Sequence, residues 1–315
     1  VTGSLVKLIH KTEYCKSIIA DGKELITGKE RGELVVPELN DEKVYITFKE
    51  DLTSLANAFS GCSALKSIPE NLFANCPKAT DFSFTFFGCK ALTAIPEGLF
   101  ANNPKVTIFQ GTFSYCSALK SLPANLFANN RKVNSFRLTF SGCSALKSIP
   151  EKLFANCPKV NTFFQTFALC KSLKSIPTGL FAHNPEVTDF SGTFSGCSAL
   201  ESIPKNLFAN NRKVTDFSYT FTGCYALTGE SPYTMIGDKK VHLYERANYP
   251  EHFTTPTDFW ECFKNCTGLT DYAQIQLIGK NNTLLPTGLS VGRSVLNAYI
   301  SVSYTHLRAH ETEAD

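Results

Sequence analysis

Residues 59–86 read F-S-G-C-S-A-L-K-S-I-P-E-N-L-F-A-N-C-P-K-A-T-D-F-S-F-T-F, and the same spelling returns down the chain. Phe59, Phe86, Phe113, Phe140, Phe167, Phe194 and Phe221 stand 27 residues apart, with Cys62, Cys89, Cys116, Cys143, Cys170, Cys197 and Cys224 in step. A Leu recurs from Leu65 to Leu227, and most units repeat Ile-Pro (Ile68-Pro69, Ile203-Pro204) and Leu-Phe (Leu72-Phe73, Leu207-Phe208). A unit this short cannot bury its own Phe and Leu side chains, so it buries them against its neighbours. The expected fold is a solenoid of stacked 27-residue coils of short β-strands and short helical turns. With coils about 4.8 Å apart, seven of them make a stack on the order of 35 Å long. Extended segments are expected over residues 64–68 and 78–82, and helical turns over 71–75 and 83–88.

Each unit is also doubled within itself. F-x-x-C-x-x-L-x-x-I at Phe59, Cys62, Leu65 and Ile68 resembles F-x-x-C-x-x-A-x-x-F at Phe73, Cys76, Ala79 and Phe82. In the second half the Cys position holds Asn103, Asn130, Asn184 and Asn211, with Cys only at Cys76 and Cys157. Either residue suits a buried corner where a side chain must satisfy backbone groups. The composition agrees with a repeated core, having 26 Phe against one Trp and one Met in 315 residues. A formal charge of +3 supports no general claim of nucleic-acid or membrane-surface binding, so charge has to be read locally. No apolar run reaches the roughly 18 residues of a membrane span. Val1 follows neither a Met nor a signal peptide, and the start reads as a cut.

The residues F-S-G-C-S-A-L-K-S-I-P and L-F-A-N-N-P-K-V-T-D-F-S-G-T-F resemble the BspA-like leucine-rich repeats of surface proteins from Bacteroides-type bacteria and some mucosal protists. The resemblance covers about residues 51–271 and includes G-E-S-P-Y-T at 229–234 and H-L-Y-E-R-A-N-Y-P at 242–250, which look like the segment closing such arrays. It implies a leucine-rich-repeat solenoid on an exported, cell-surface protein engaged in adhesion or in host and community interaction. It supplies no catalytic residue and no cofactor. The 27-residue unit is longer than the family's common shorter repeat.

Outside the array, residues 33–36 and 43–49 (K-V-Y-I-T-F-K) cluster β-branched and aromatic residues as strands do. Residues 1–50 therefore form a β-rich segment, either the end of a truncated domain or a cap on the first coil. The array runs over 51–229, and residues 230–275 hold an insertion and a terminal repeat. Thr257-Asp258-Phe259 restores the repeat before Phe263 and Cys266, 42 residues after Phe221 and Cys224. The insertion carries Tyr233, His242, Tyr244, Arg246, Tyr249 and His252, and is read as a cap over the last coil or as a ligand site built on recognition aromatics. Residues 276–315 form a tail. Its end, V-S-Y-T-H-L-R-A-H-E-T-E-A-D from Val302, resembles translated sequencing-adapter read-through and is taken as non-native.

Metal and redox chemistry fit the cysteines poorly. The close pair Cys262 and Cys266 lacks the second pair of a zinc site, and His306 and His310 lack the E-x-x-H context of a metalloprotease. Equivalent Cys on stacked coils hold their Cβ atoms about 4.8 Å apart, beyond the usual disulfide distance of about 3.8 Å. A buried, reduced ladder is the expectation, with a terminal disulfide at Cys15 or Cys262 as the alternative. No G-x-S-x-G, Walker or G-x-G-x-x-G motif is present, and the six His are scattered, so no enzyme is expected.

Two Lys columns remain, Lys66, Lys120, Lys147 and Lys174 on one line and Lys78, Lys105, Lys132, Lys159 and Lys213 on another. They form either a solvated, solubilising face or a positive stripe drawing acidic glycans or proteins. The positions that vary most precede each Phe: Ser83-Phe84, Gln110-Gly111, Arg137-Leu138, Phe164-Gln165, Ser191-Gly192 and Ser218-Tyr219. Phe84, Arg137, Phe164 and Tyr219 there, with Tyr244 and Tyr249 in the insertion, are candidates for partner contact; relaxed packing explains the variation equally well. The functional expectation is a monomeric, non-enzymatic surface or secreted module binding a protein or glycan of host, matrix or neighbouring cells, without nucleic acid or a membrane span. A passive stalk and a targeting module of a larger secreted hydrolase are the alternatives.

Overall fold

The computed structural model describes residues 5–25, 32–37 and 43–281. At the N-terminal end, β1 (Leu5–Ile9) pairs antiparallel with β4 (Leu34–Pro37), and β2 (Cys15–Ala20) lies between β3 (Lys23–Glu24) and β5 (Val44–Phe48). Burial alternates along V-Y-I-T-F of β5, as the two-residue period of a strand requires, and ends on buried Phe48. The Phe48 ring lies 6.1 Å from Phe59 and 5.8 Å from Phe73, both in the first repeat unit. His10 N–H donates to the Ala58 carbonyl at 2.8 Å, and the Tyr14 hydroxyl to that of Ala56 at 3.2 Å. In the next unit the equivalent carbonyls, Ser83 and Thr85, accept from Asn57 N–H at 2.9 Å and Phe59 N–H at 2.8 Å of the unit before. The β-segment thus gives the first unit the donors that no preceding unit provides.

Single parallel bridges join the units: Ser54 to Asp81, Asp81 to Ile108, and onward through Ser135, Thr162 and Asp189 to Asp216, then to Asp258. Among the described residues between 51 and 232 there is no continuous strand or helix: the expected strands are corrected to single bridges, and at 71–75 and 83–88 the chain makes single turns, such as Ala74 N–H to Asn71 O at 3.1 Å. The reason lies in how the backbone divides its bonds. Leading into each Phe, alternate N–H groups leave the unit, Phe84 to Gln110 O (2.7 Å), Phe86 to Thr112 O (2.8 Å) and Gly88 to Ser114 O (2.8 Å). Those between close turns within it, Thr85 to Phe82 O (3.2 Å), Phe87 to Phe84 O (3.1 Å) and Cys89 to Phe86 O (3.2 Å). Left-handed residues at Phe84 (φ +54°) and Gly88 (φ +68°) make this alternation possible, and they stop either ladder from propagating.

The core is columnar. Phe59, Phe86 and Phe113 stack at 5.3 and 5.4 Å between ring centroids, and parallel columns run through Phe73 and Phe100 at 6.1 Å and through Phe82 and Phe109 at 6.0 Å. Burying such a side chain stabilises by about 2–3 kcal/mol, and the ring spacing is within the favourable range for offset stacking. Three polar columns point inward among the rings and make one kind of bond. Thr112 Oγ1 donates to Phe82 O (2.9 Å), Cys116 Sγ to Phe86 O (3.2 Å), and Asn130 Nδ2 to Phe100 O (3.4 Å) and Asn103 O (2.9 Å). In each column the side chain gives a second donor to a carbonyl 30 residues upstream that already accepts a backbone N–H within its own unit, so both lone pairs of a buried oxygen are used.

At the other end, β6 (Tyr233–Ile236) and β7 (Lys239–His242) form a hairpin whose two-residue turn begins with Gly237 at φ +58°, as a type II′ turn requires. A 3-10 turn, Leu243–Asn248, then carries Arg246 into the core. Helix α1 (Tyr272–Asn281) follows the final F-x-x-C and lays Tyr272 and Ile275 against the core.

Candidate binding surface

The expected contact residues separate into three groups. Lys78, Lys105, Lys132, Lys159 and Lys213 are all exposed. A backbone ladder two residues beyond fixes their register: Thr107 N–H donates to Thr80 O at 2.9 Å, Asn134 to Thr107 at 3.1 Å, Asn161 to Asn134 at 2.9 Å and Thr188 to Asn161 at 2.9 Å. The ends of this column are neutralised from the adjacent unit, Lys78 by Asp51, and Lys213 by Glu186 at 2.7 Å. Lys105, Lys132 and Lys159, on three consecutive units, carry no ion pair among the described residues. Asp51 and Glu186 occupy the same register as the lysines, a signal present in the repeat alignment. In the second column Lys66, Lys120, Lys147 and Lys174 are exposed, and Lys174 pairs with Glu201 at 3.3 Å.

The variable positions before each Phe form a second group, and packing accounts for much of their chemistry. Phe164 is buried beneath the Arg137 guanidinium, which lies 4.1 Å above its ring. Phe84 is half-buried and covers the next unit's glycine so closely that a Cβ at Gly111 would lie 2.4 Å from its ring. Tyr219 is half-buried on the same left-handed column (φ +57°). Phe164 therefore does not serve as an exposed contact.

The insertion forms the third. Tyr244 is buried, stacked on His242 at 5.1 Å, and its hydroxyl donates to Asp271 Oδ2 at 3.2 Å. It too is withdrawn from the surface, and Tyr249 is half-buried at the end of the 3-10 turn. Ser231, His242 and Asp271 meet, with Ser231 Oγ 2.9 Å from His242 Nδ1 and 2.5 Å from Asp271 Oδ2. Serine and carboxylate thus share one ring nitrogen, while Nε2 faces Glu230 at 3.5 Å. Ser231 donates its one hydroxyl proton to Asp271, whereas a serine nucleophile donates it to the imidazole that acts as its base. The sequence gives no sign of Ser231 or Asp271, because their pairing spans 40 residues outside the repeat's register.

All twelve cysteines are free and buried, Cys15 and Cys262 included. Burial pushes the thiols of Cys62 and Cys197 up to about 12. Among the described residues no group of three or more His, Cys, Asp or Glu is arranged to hold a metal ion, and no helix is long and apolar enough to cross a membrane. Residues 302–315, with His306 and His310, lie outside the described residues.

The chain is similar to leucine-rich-repeat structures. One from the Drosophila Toll–Spätzle complex covers 65% of this chain at 20% identity and a TM-score of 0.35, and this chain spans 28% of its length. A leucine-rich repeat protein from Bacteroides ovatus overlaps 71% of each chain at 22% identity and a TM-score of 0.21. A leucine-rich cell surface protein from Faecalibacterium prausnitzii covers 69% of this chain and 88% of its own at 19% identity and a TM-score of 0.18. No protein-family model matches the chain, and no curated protein matches it. Structural overlap at these scores carries no functional argument, which rests on the chain's own residues.

Proposed function

We propose that the chain is a non-enzymatic, leucine-rich-repeat solenoid, displayed at the cell surface or secreted, that binds a protein or glycan of a host, matrix or neighbouring cell through its lateral face as a monomer. Residues 1–50 and 230–275 act as its end caps. The observation that carries the reading is the uncompensated run Lys105, Lys132 and Lys159. Like charges about one unit apart repel by about 1 kcal/mol even in water. The chain relieves that repulsion at both ends of the column and leaves it standing across three units. A face serving solubility alone gains from interspersed signs rather than a block of one. The donation of the Ser231 hydroxyl proton to Asp271 rather than to His242 supports a non-catalytic reading.

A screen of the whole chain against immobilised matrix proteins and glycans tests this. Saturable binding to at least one, weakened in K105E/K132E/K159E, is expected. Binding to none of them contradicts the proposal and favours a passive stalk.

A further inference from the structure

We propose that Lys105, Lys132 and Lys159 take a linear acidic polysaccharide laid along the direction in which the units repeat, with its carboxylates at the ammonium groups. This rests on the lateral face being a binding surface and names the ligand class. The ladder through Thr107, Asn134 and Asn161 holds the lysines in register on consecutive units, about 4.8 Å apart and about 10 Å from first to third. A regular row of like charges over a span comparable to a disaccharide matches a ligand that is itself periodic.

The neighbouring side chains favour sugar over an acidic protein. Asn102, Asn129 and Asn156 stand three residues before the lysines and are exposed, while Thr107, Asn134 and Asn161 stand two residues after them. Carboxamides and hydroxyls hydrogen-bond to sugar hydroxyls, and Asn129 uses one of its donors on Ala101 O at 3.0 Å. None of these positions carries an aromatic or aliphatic side chain. Protein interfaces draw their binding energy from Trp, Tyr and Arg anchors and are depleted in Lys. Exposed Arg131, next to Lys132, adds a further cation at the centre of the row. The Asp51–Lys78 and Glu186–Lys213 pairs end the positive run on either side, so a short stretch of polymer fills it.

The test titrates polygalacturonate, neutral dextran and a single-stranded DNA oligonucleotide against the whole chain as wild type, K105E/K132E/K159E and K66E/K120E/K147E. Unchanged circular dichroism and Tm establish that both variants are folded. Polygalacturonate is expected to bind wild type and K66E/K120E/K147E, to lose on the order of 100-fold in K105E/K132E/K159E, and to weaken about tenfold or more between about 50 and 300 mM salt; dextran is expected not to bind. Equal affinity for DNA and polygalacturonate, or equal loss in both variants, overturns the proposal in favour of unspecific attraction for polyanions. If polygalacturonate fails to bind while a matrix protein binds and is lost in K105E/K132E/K159E, the polysaccharide is wrong and the binding surface stands. Failure of every ligand sinks both.

Discussion

Arg246 stands where the next asparagine above Asn211 would stand: its Nη1 donates to Asn211 O at 3.0 Å and its Nη2 to Phe208 O at 2.8 Å. Asn211 itself makes the same pair of bonds one unit earlier, to Asn184 O at 2.8 Å and Phe181 O at 3.2 Å. The insertion therefore ends the asparagine column with a guanidinium. That group is fully buried, stacked 4.2 Å over Phe253, and burial pulls its pKa down to about 9. Desolvation opposes the gain from its bonds. Arg246→Ala takes a side-chain donor from each of two buried carbonyls and leaves a cavity, and is expected to cost about 2–4 kcal/mol. Arg246→Met fills the space without a charge and should cost clearly less. Urea midpoints of the two variants measure this, and equal stability of Arg246→Ala and wild type contradicts it.

The asparagine column itself makes a second prediction. Asn130 is buried and serves two carbonyls, whereas the next corner in the column uses Cys157, whose Sγ lies 3.6 Å from Asn130 O and 3.9 Å from Phe127 O. Asn130→Ala should destabilise by about 2–4 kcal/mol, because two buried carbonyls lose their side-chain donor and the removed side chain leaves a cavity. Asn130→Cys, a residue the corner already accommodates, should lose less than half as much. Thermal unfolding of the two variants would show the order, and a Cys variant as damaged as the Ala variant would argue against the bonding role.

Asp216 gives the stack a pH dependence. Burial raises its pKa to about 6, against hydrogen bonds from Ser218 and with help from Asp189 and Asp258 on the adjacent units. An acid whose folded pKa lies above its unfolded value binds more protons when folded, so stability falls as pH rises from about 4 to about 6 and stays lowered above that. Asp216→Asn keeps an acceptor for Ser218 and removes the ionisation. The variant should gain about 1–2 kcal/mol over wild type at pH 7.5, with the difference gone near pH 4. A pH-independent difference in Tm would show that another group carries the effect.

The cysteines should be chemically silent. Cys116, Cys143, Cys170, Cys197 and Cys224 lie at 0% exposure with their thiols on backbone carbonyls, and burial raises their pKa. Thiolate is the reactive form, so native protein at pH 8 should resist iodoacetamide and label in denaturant. Rapid native labelling of this column would overturn the packing.

The period, the Phe columns and the polar corners were legible in the sequence, because seven aligned units expose every inward position at once. The local conformation was not. Its left-handed positions are filled by Phe84, Leu138, Gln165 and Tyr219 as often as by glycine, so nothing in their chemistry announces the backbone. The Thr column was hidden among turn residues, although Thr112 and Thr139 are as buried as the Phe beside them. Phe164 and Tyr244 read as contacts because their covers, Arg137 and Asp271, come from 27 residues away. On the candidate surface the lysines are visible in the sequence, and Asp51 and Glu186 share their register, but it takes the fold to pair them with Lys78 and Lys213.

The binding surface is tested most directly by lysine footprinting, in which the chain is acylated with and without saturating polygalacturonate and each lysine's modification is measured by mass spectrometry. Lys105, Lys132 and Lys159 are predicted to be protected together, while Lys66, Lys120 and Lys147 keep their reactivity. Protection spread evenly over both columns, or absent from Lys105, Lys132 and Lys159, contradicts the account.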